Sequence, residues 1–138
     1  MNRIAIAAAS LAFTLPLVPF EALAQNANTH GCACLHNRTG QQINYRYKWG
    51  EAEWQTRALQ PGYRSWMCWR YADNSRSSPQ LLFQLDVDMS SGTAWTTYNI
   101  TRVQSPAAHC DSIPSNGHFD VSYRPGTNNA FIHVTRRQ

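Results

Sequence analysis

The chain has 138 residues, 43% of them hydrophobic, and a formal net charge of +4, which suits one modest core and leaves no room for two. Every cation except Lys48 is arginine, and only Arg136 and Arg137 are adjacent. Binding nucleic acid through charge requires a basic stripe or a recognition motif; neither is present, so the mild positive charge points instead to acidic polymers or surfaces.

Residues 1–24 read as a secretory signal peptide. Met1-Asn2-Arg3 makes a positive head, Ile4 to Val18 is almost wholly apolar, and Ala22-Leu23-Ala24 supplies the small residues that signal peptidase requires before Gln25. The apolar run is about 15 residues, short of the roughly 20 that a membrane-spanning helix needs, so no membrane span is expected. Cleavage leaves 25–138 as a single domain in the periplasm or outside the cell. Gln25 to His30 is polar and without alternation, and reads as a frayed terminus.

All four cysteines, Cys32, Cys34, Cys68 and Cys110, fall in the exported part. An even number in an oxidising compartment reads as a disulfide framework rather than a redox or metal-thiolate site. Cys32 and Cys34 are two apart on a strand, with Cα atoms about 6.6 Å apart, so a bond between them is disfavoured. Each must reach a distant partner. The expected pairs are Cys34 with Cys68, where the inner cysteine meets an aromatic-rich strand, and Cys32 with Cys110, where the outer one catches a loop.

From Gly31 the dominant period is two, with a first strand through the cysteines and a turn at Asn37-Arg38-Thr39-Gly40. Ile43, Tyr45, Tyr47 and Trp49 then alternate with Asn44, Arg46 and Lys48 as a strand with one apolar and one polar face. Trp54 to Leu59 is a shorter strand, Gln60-Pro61-Gly62 a turn, and Tyr63 to Tyr71 another strand before the loop Ala72 to Pro79. Leu81, Phe83, Leu85, Val87 and Met89 alternate with Gln84, Asp86 and Asp88, so Leu81, Phe83, Leu85 and Val87 should be buried and the three polar residues comparatively exposed. Turn residues Ser90-Ser91-Gly92 precede a strand from Trp95 to Val103, and the proline-bearing loop Gln104 to Gly117 carries Cys110. The last strands, Phe119 to Tyr123 and Phe131 to Thr135, flank the turn Pro125 to Asn129. Seven or eight short strands, with no helical stripe, define an all-β chain: a small antiparallel sandwich or barrel stapled by disulfides.

Aromatic residues are dense between Tyr45 and Tyr71, and alternation cannot hide them all in one core. Trp66 should face away from Tyr63, Trp69 and Tyr71, between Arg64 and Arg70. A tryptophan between two arginines can stack on a sugar ring while the guanidinium groups bind hydroxyl or acidic groups. Arg64, Trp66 and Arg70 are therefore the candidate ligand-binding residues. Asp86 and Asp88, two apart on one strand face, have the spacing of a cation or paired-carboxylate site, but a solvated sheet face accounts for them as well. If Val121 faces Val134, then His118, Asp120, Ser122 and His133 share a face and offer the residue types of a nucleophilic or zinc site. No G-x-S-x-G accompanies them, and a polar outer face explains them more simply. Two N-x-[ST] sites, at Asn37 and Asn99, matter only where an N-glycosylation pathway exists.

The expected function is an exported, non-catalytic binding module for carbohydrate or an anionic cell-surface polymer, requiring no cofactor and no metal. A small secreted hydrolase or metal-dependent enzyme is the second reading. A protein-recognising factor, such as an inhibitor or toxin accessory, is the third.

Overall fold

The structure, a computed structural model, describes residues 29–72, 78–90, 94–106 and 109–138. The expected signal peptide lies outside the described residues. The chain is nearly all β, with no α-helix among the described residues: β1 (His30–Asn37), β2 (Ile43–Trp49), β3 (Gln55–Leu59), β4 (Arg64–Arg70), β5 (Leu81–Asp86), β6 (Trp95–Tyr98), β7 (Val103–Ser105), β8 (His118–Tyr123) and β9 (Ile132–Arg136). Two 3-10 turns, Cys110–Ser112 and Ser115–Gly117, lie between β7 and β8. His30, expected in the frayed terminus, opens β1 opposite Arg70.

The strands form two sheets. One runs β3-β2-β5-β6 and is antiparallel throughout. The other runs β4-β1-β8-β9, with β7 also pairing β1. Here the all-antiparallel expectation is corrected, because β1 runs parallel to β8, Cys34 beside His118 and Asn37 beside Val121. The strand count is also corrected: the expected strand from Trp95 to Val103 is two strands in different sheets. The chain crosses between the sheets over residues 99–102, with Ile100 buried in the core.

The sheets share one core in a sandwich-like arrangement. Ala33, Leu35, Met67, Phe119, Val121 and Ile132 from the five-stranded sheet meet Ile43, Tyr45, Trp49, Leu59, Phe83 and Leu85 from the other. Tyr45 bridges them, its ring 5.8 Å from that of Phe83 and its hydroxyl donating to Ser65 Oγ at 2.8 Å. Along β5 the expected pattern holds in the middle and fails at the end. Phe83 and Leu85 are buried, but Val87 and Asp88 lie beyond the strand and Asp86 is fully buried. The strand stops at Asp86, whose Oδ1 accepts from the Ala94 amide, so the carboxylate ties the β5–β6 connection instead of facing water.

β1 is buried on both faces. Ala33 and Leu35 point into the main core, while Cys32 and Cys34 point outward into a second small cluster with Cys110 and Ile113, against which Cys68 and Val103 pack. Gly117 lets the covering loop close down, since a Cβ there would lie 2.5 Å from Val103 Cγ2 and 2.8 Å from Ile113 Cγ2.

The disulfides correct the expected pairing. They join Cys32 to Cys68 and Cys34 to Cys110, not Cys34 to Cys68 and Cys32 to Cys110. Strand register decides this: β1 and β4 place Cys32 directly opposite Cys68, with Cα atoms 4.2 Å apart, whereas Cys34 faces Trp66. Cys34 is left to take Cys110 from the 3-10 turn lying over the sheet, at a Cα separation of 5.4 Å. Two disulfides accord with an oxidising compartment, and no helix among the described residues is long and apolar enough to cross a membrane.

Candidate functional site

Alternation along β4 sends Met67 into the core and turns Arg64, Trp66, Cys68 and Arg70 to the outer face of the five-stranded sheet. Trp66 keeps 49% of its surface exposed. Gly62, at φ +78°, turns the chain into β4 and leaves Tyr63 exposed beside Trp66. The expectation that these two rings diverge fails because Tyr63 precedes the strand and escapes its alternation. The Cys34–Cys110 bond lays the turn at Cys110 alongside, so His109 and Asp111 join Tyr63, Arg64 and Trp66 around a groove of about 430 Å³. Arg64 Nη2 lies 3.1 Å from Asp111 Oδ1. The groove thus presents an aromatic face, a paired cation and anion, and an imidazole, a set that offers a stacking surface together with hydrogen-bond donors and acceptors. Of the three expected residues, Arg64 and Trp66 come together here. Arg70 shares the outer face but sits beyond Cys68, opposite His30, and does not line the groove.

Next to the groove, four strands align Arg64, His36, Asp120 and Thr135 in one row across the sheet. Asp120, only 8% exposed, lies 3.2 Å from Arg137 Nη2 and 3.5 Å from Arg38 Nη1. His36 Nδ1 accepts a hydrogen bond from Arg137 Nη2 at 3.1 Å, which requires an unprotonated Nδ1. Its pKa is pushed below the ordinary histidine value. Burial is the largest cause; Arg137, Arg38 and Arg64 add to it, and Asp120 opposes them. The unfolded chain takes up this proton near pH 6.5, and the folded chain only at lower pH. The unfolded state therefore binds more protons in that window, so stability falls as pH drops below about 6.5. His30, lowered by burial and then by Arg70, acts in the same direction. The urea midpoint should be lower at pH 5 than at pH 7, and His36→Gln should shrink that difference. A difference unchanged in the variant would show that His36 does not carry it.

Val121 does face Val134, as expected, and His118, Asp120, Ser122 and His133 do share a sheet face. They are not assembled for chemistry. His118 is buried beneath the covering loop, its Nε2 2.8 Å from the Ile113 carbonyl, and Asp120 is taken by the arginines. Ser122 lies opposite His133 with no hydrogen bond between them. Asp86 and Asp88 each accept a backbone N–H of the β5–β6 connection, from Ala94 and Ser90. Among the described residues, no three His, Cys, Asp or Glu side chains converge as metal ligands. Asn37 is fully buried with its amide donating to Gln41 and Leu59 carbonyls, so that N-x-[ST] site is closed in the folded protein, whereas Asn99 is exposed.

A second cluster lies on the outer face of the four-stranded sheet. The Arg46 guanidinium is 4.7 Å from the Trp54 ring centroid and 4.6 Å from that of Trp95, and Lys48 Nζ is 5.2 Å from Trp54. Arg46 Nε donates to Gln84 Oε1 at 2.7 Å, and Gln84 Nε2 donates to Thr97 Oγ1 at 3.1 Å. Each contact of this kind contributes about 0.5–1 kcal/mol when exposed and more when water is excluded. The polar side of β2 was legible from alternation. The cluster was not, because Trp54 and Trp95 stand 41 positions apart in sequence and meet only through the strand order β3-β2-β5-β6.

Comparison with known protein families, with curated proteins and with solved structures finds no match to this chain.

Proposed function

We propose that the protein is an exported binding module of sandwich type that takes a carbohydrate chain in the Trp66 groove. In this reading residues 1–24 direct secretion, 25–138 work as one domain in the periplasm or outside the cell, and no catalysis is involved. The observation that carries it is the half-exposed Trp66 beside the Arg64–Asp111 pair. An exposed indole supplies the flat apolar surface on which a pyranose ring stacks, and the ion pair supplies fixed donors and acceptors for its hydroxyls. Arg70, further along the same face, gives a longer polymer a second cationic contact.

A glycan array and a cell-wall polysaccharide pull-down test this. The purified protein should bind a defined subset of glycans, and Trp66→Ala should weaken binding about tenfold or more, or ~1.4 kcal/mol. No binding by the unmodified protein, or equal binding by Trp66→Ala, would overturn the reading.

A further inference from the structure

We propose that Arg46, flanked by Trp54 and Trp95, forms a second binding site that takes the carboxylate of an acidic sugar unit. The proposal rests on the carbohydrate-binding reading above and deepens it: the ligand becomes a polysaccharide containing uronic acids.

Three observations carry it. The first is charge. On the outer face of the five-stranded sheet, Arg38, Arg64 and Arg137 each lie within 3.5 Å of an aspartate, so their charge is already compensated. Arg46 and Lys48 meet no carboxylate among the described residues, which leaves this face two cations to offer an external anion. The second is orientation. The bond from Nε to Gln84, itself held by Thr97, fixes one edge of the guanidinium. The two Nη groups donate to no other described residue and remain for a bidentate pair with a planar carboxylate. The third is the surroundings. Trp54 and Trp95, both half-buried, shelter the guanidinium from water while keeping some surface exposed. Exposed indole surface suits the C–H face of the ring that carries the acid. Thr56, Gln84 and Thr97, in the same row across the sheet as Arg46, add short polar groups for sugar hydroxyls. Two cations are too few for a nucleic-acid backbone, which favours many phosphate contacts.

The five tryptophans make the test direct, since each indole N–H gives its own signal in a proton–nitrogen correlation spectrum of labelled protein. Titration with oligogalacturonate should shift the Trp54 and Trp95 signals. The same oligomer with its carboxyls methyl-esterified should bind this face at least tenfold more weakly. Arg46→Lys, which keeps the charge but loses the fork, should weaken the shifts about tenfold while lowering the melting temperature by only a few degrees, the loss expected from the bond to Gln84. Shifts confined to Trp66 would overturn this proposal and leave the groove reading standing. Silence at all five indoles would also overturn it, with the groove still judged by the array. Equal response to the esterified oligomer would overturn the carboxylate assignment. An equal response to poly-glutamate would overturn the sugar assignment in favour of an acidic polypeptide.

Discussion

Replacing Asn37 with alanine should destabilise the protein by about 3–5 kcal/mol, read as a fall in the urea midpoint. Asn37 is fully buried at the end of β1, and both ends of its amide are engaged. Nδ2 donates to the Gln41 carbonyl at 2.8 Å and to the Leu59 carbonyl at 2.9 Å, while Oδ1 accepts from the Thr39 amide at 3.0 Å and the Thr39 hydroxyl at 2.7 Å. Its backbone adds bonds to Tyr63 and Gly62. The side chain thus ties the β1–β2 turn to the end of β3, while the backbone of the same residue holds the entry to β4. Truncation leaves several buried donors and acceptors without partners, each costing more than an average hydrogen bond contributes. Asn37→Asp is the sharper variant. It keeps the shape and Oδ1, but turns a carboxylate oxygen toward the Leu59 carbonyl, and it should be at least as damaging. A loss below about 1 kcal/mol in both variants would show that the turn does not depend on this amide.

Opening the Cys34–Cys110 bond by a double alanine substitution should cost roughly 4 kcal/mol in the chain-entropy account. The bond spans 76 residues and overlaps the 36-residue span of Cys32–Cys68, so the surviving bridge retains part of the constraint. Packing adds to the loss, because Cys110 brings Ile113 and the covering loop onto the outward face of β1. The same variant should change the Trp66 groove, whose far wall is His109, Cys110 and Asp111. Calorimetry and glycan binding on one preparation would check both. A melting temperature within a degree or two of the parent would show that the loop docks without its staple.

Strand character was legible wherever alternation was clean: β2, the middle of β5, and the β8–β9 pair with Val121 opposite Val134 all follow from period two. What the sequence hid was long-range pairing. β1 and β4 are not joined by a hairpin, because β2 and β3 intervene in the other sheet, so no turn length specifies which cysteine faces Cys68. The covered outer face of β1 was hidden for a similar reason, since its lid comes from a loop near Cys110. Arg64 and Trp66 were legible as neighbours on one strand face, but their partners His109 and Asp111 were not, being delivered by the disulfide that was mispaired. The Arg46 cluster escaped because local pattern places a residue on a face without saying who stands beside it.

The position of β1 has a consequence for how the chain assembles. It is the first of the described strands in chain order, yet its hydrogen-bonding neighbours are β4 on one side and β7 and β8 on the other, and its parallel partner β8 follows every other described strand but β9. A strand emerging early must wait with an open edge until residues 118–121 are present. Such an order sets a high contact order and a slow search, and it leaves a bare strand edge available to other chains meanwhile. This topology favours folding once β1 and β8 are both available over folding stepwise as the chain is made.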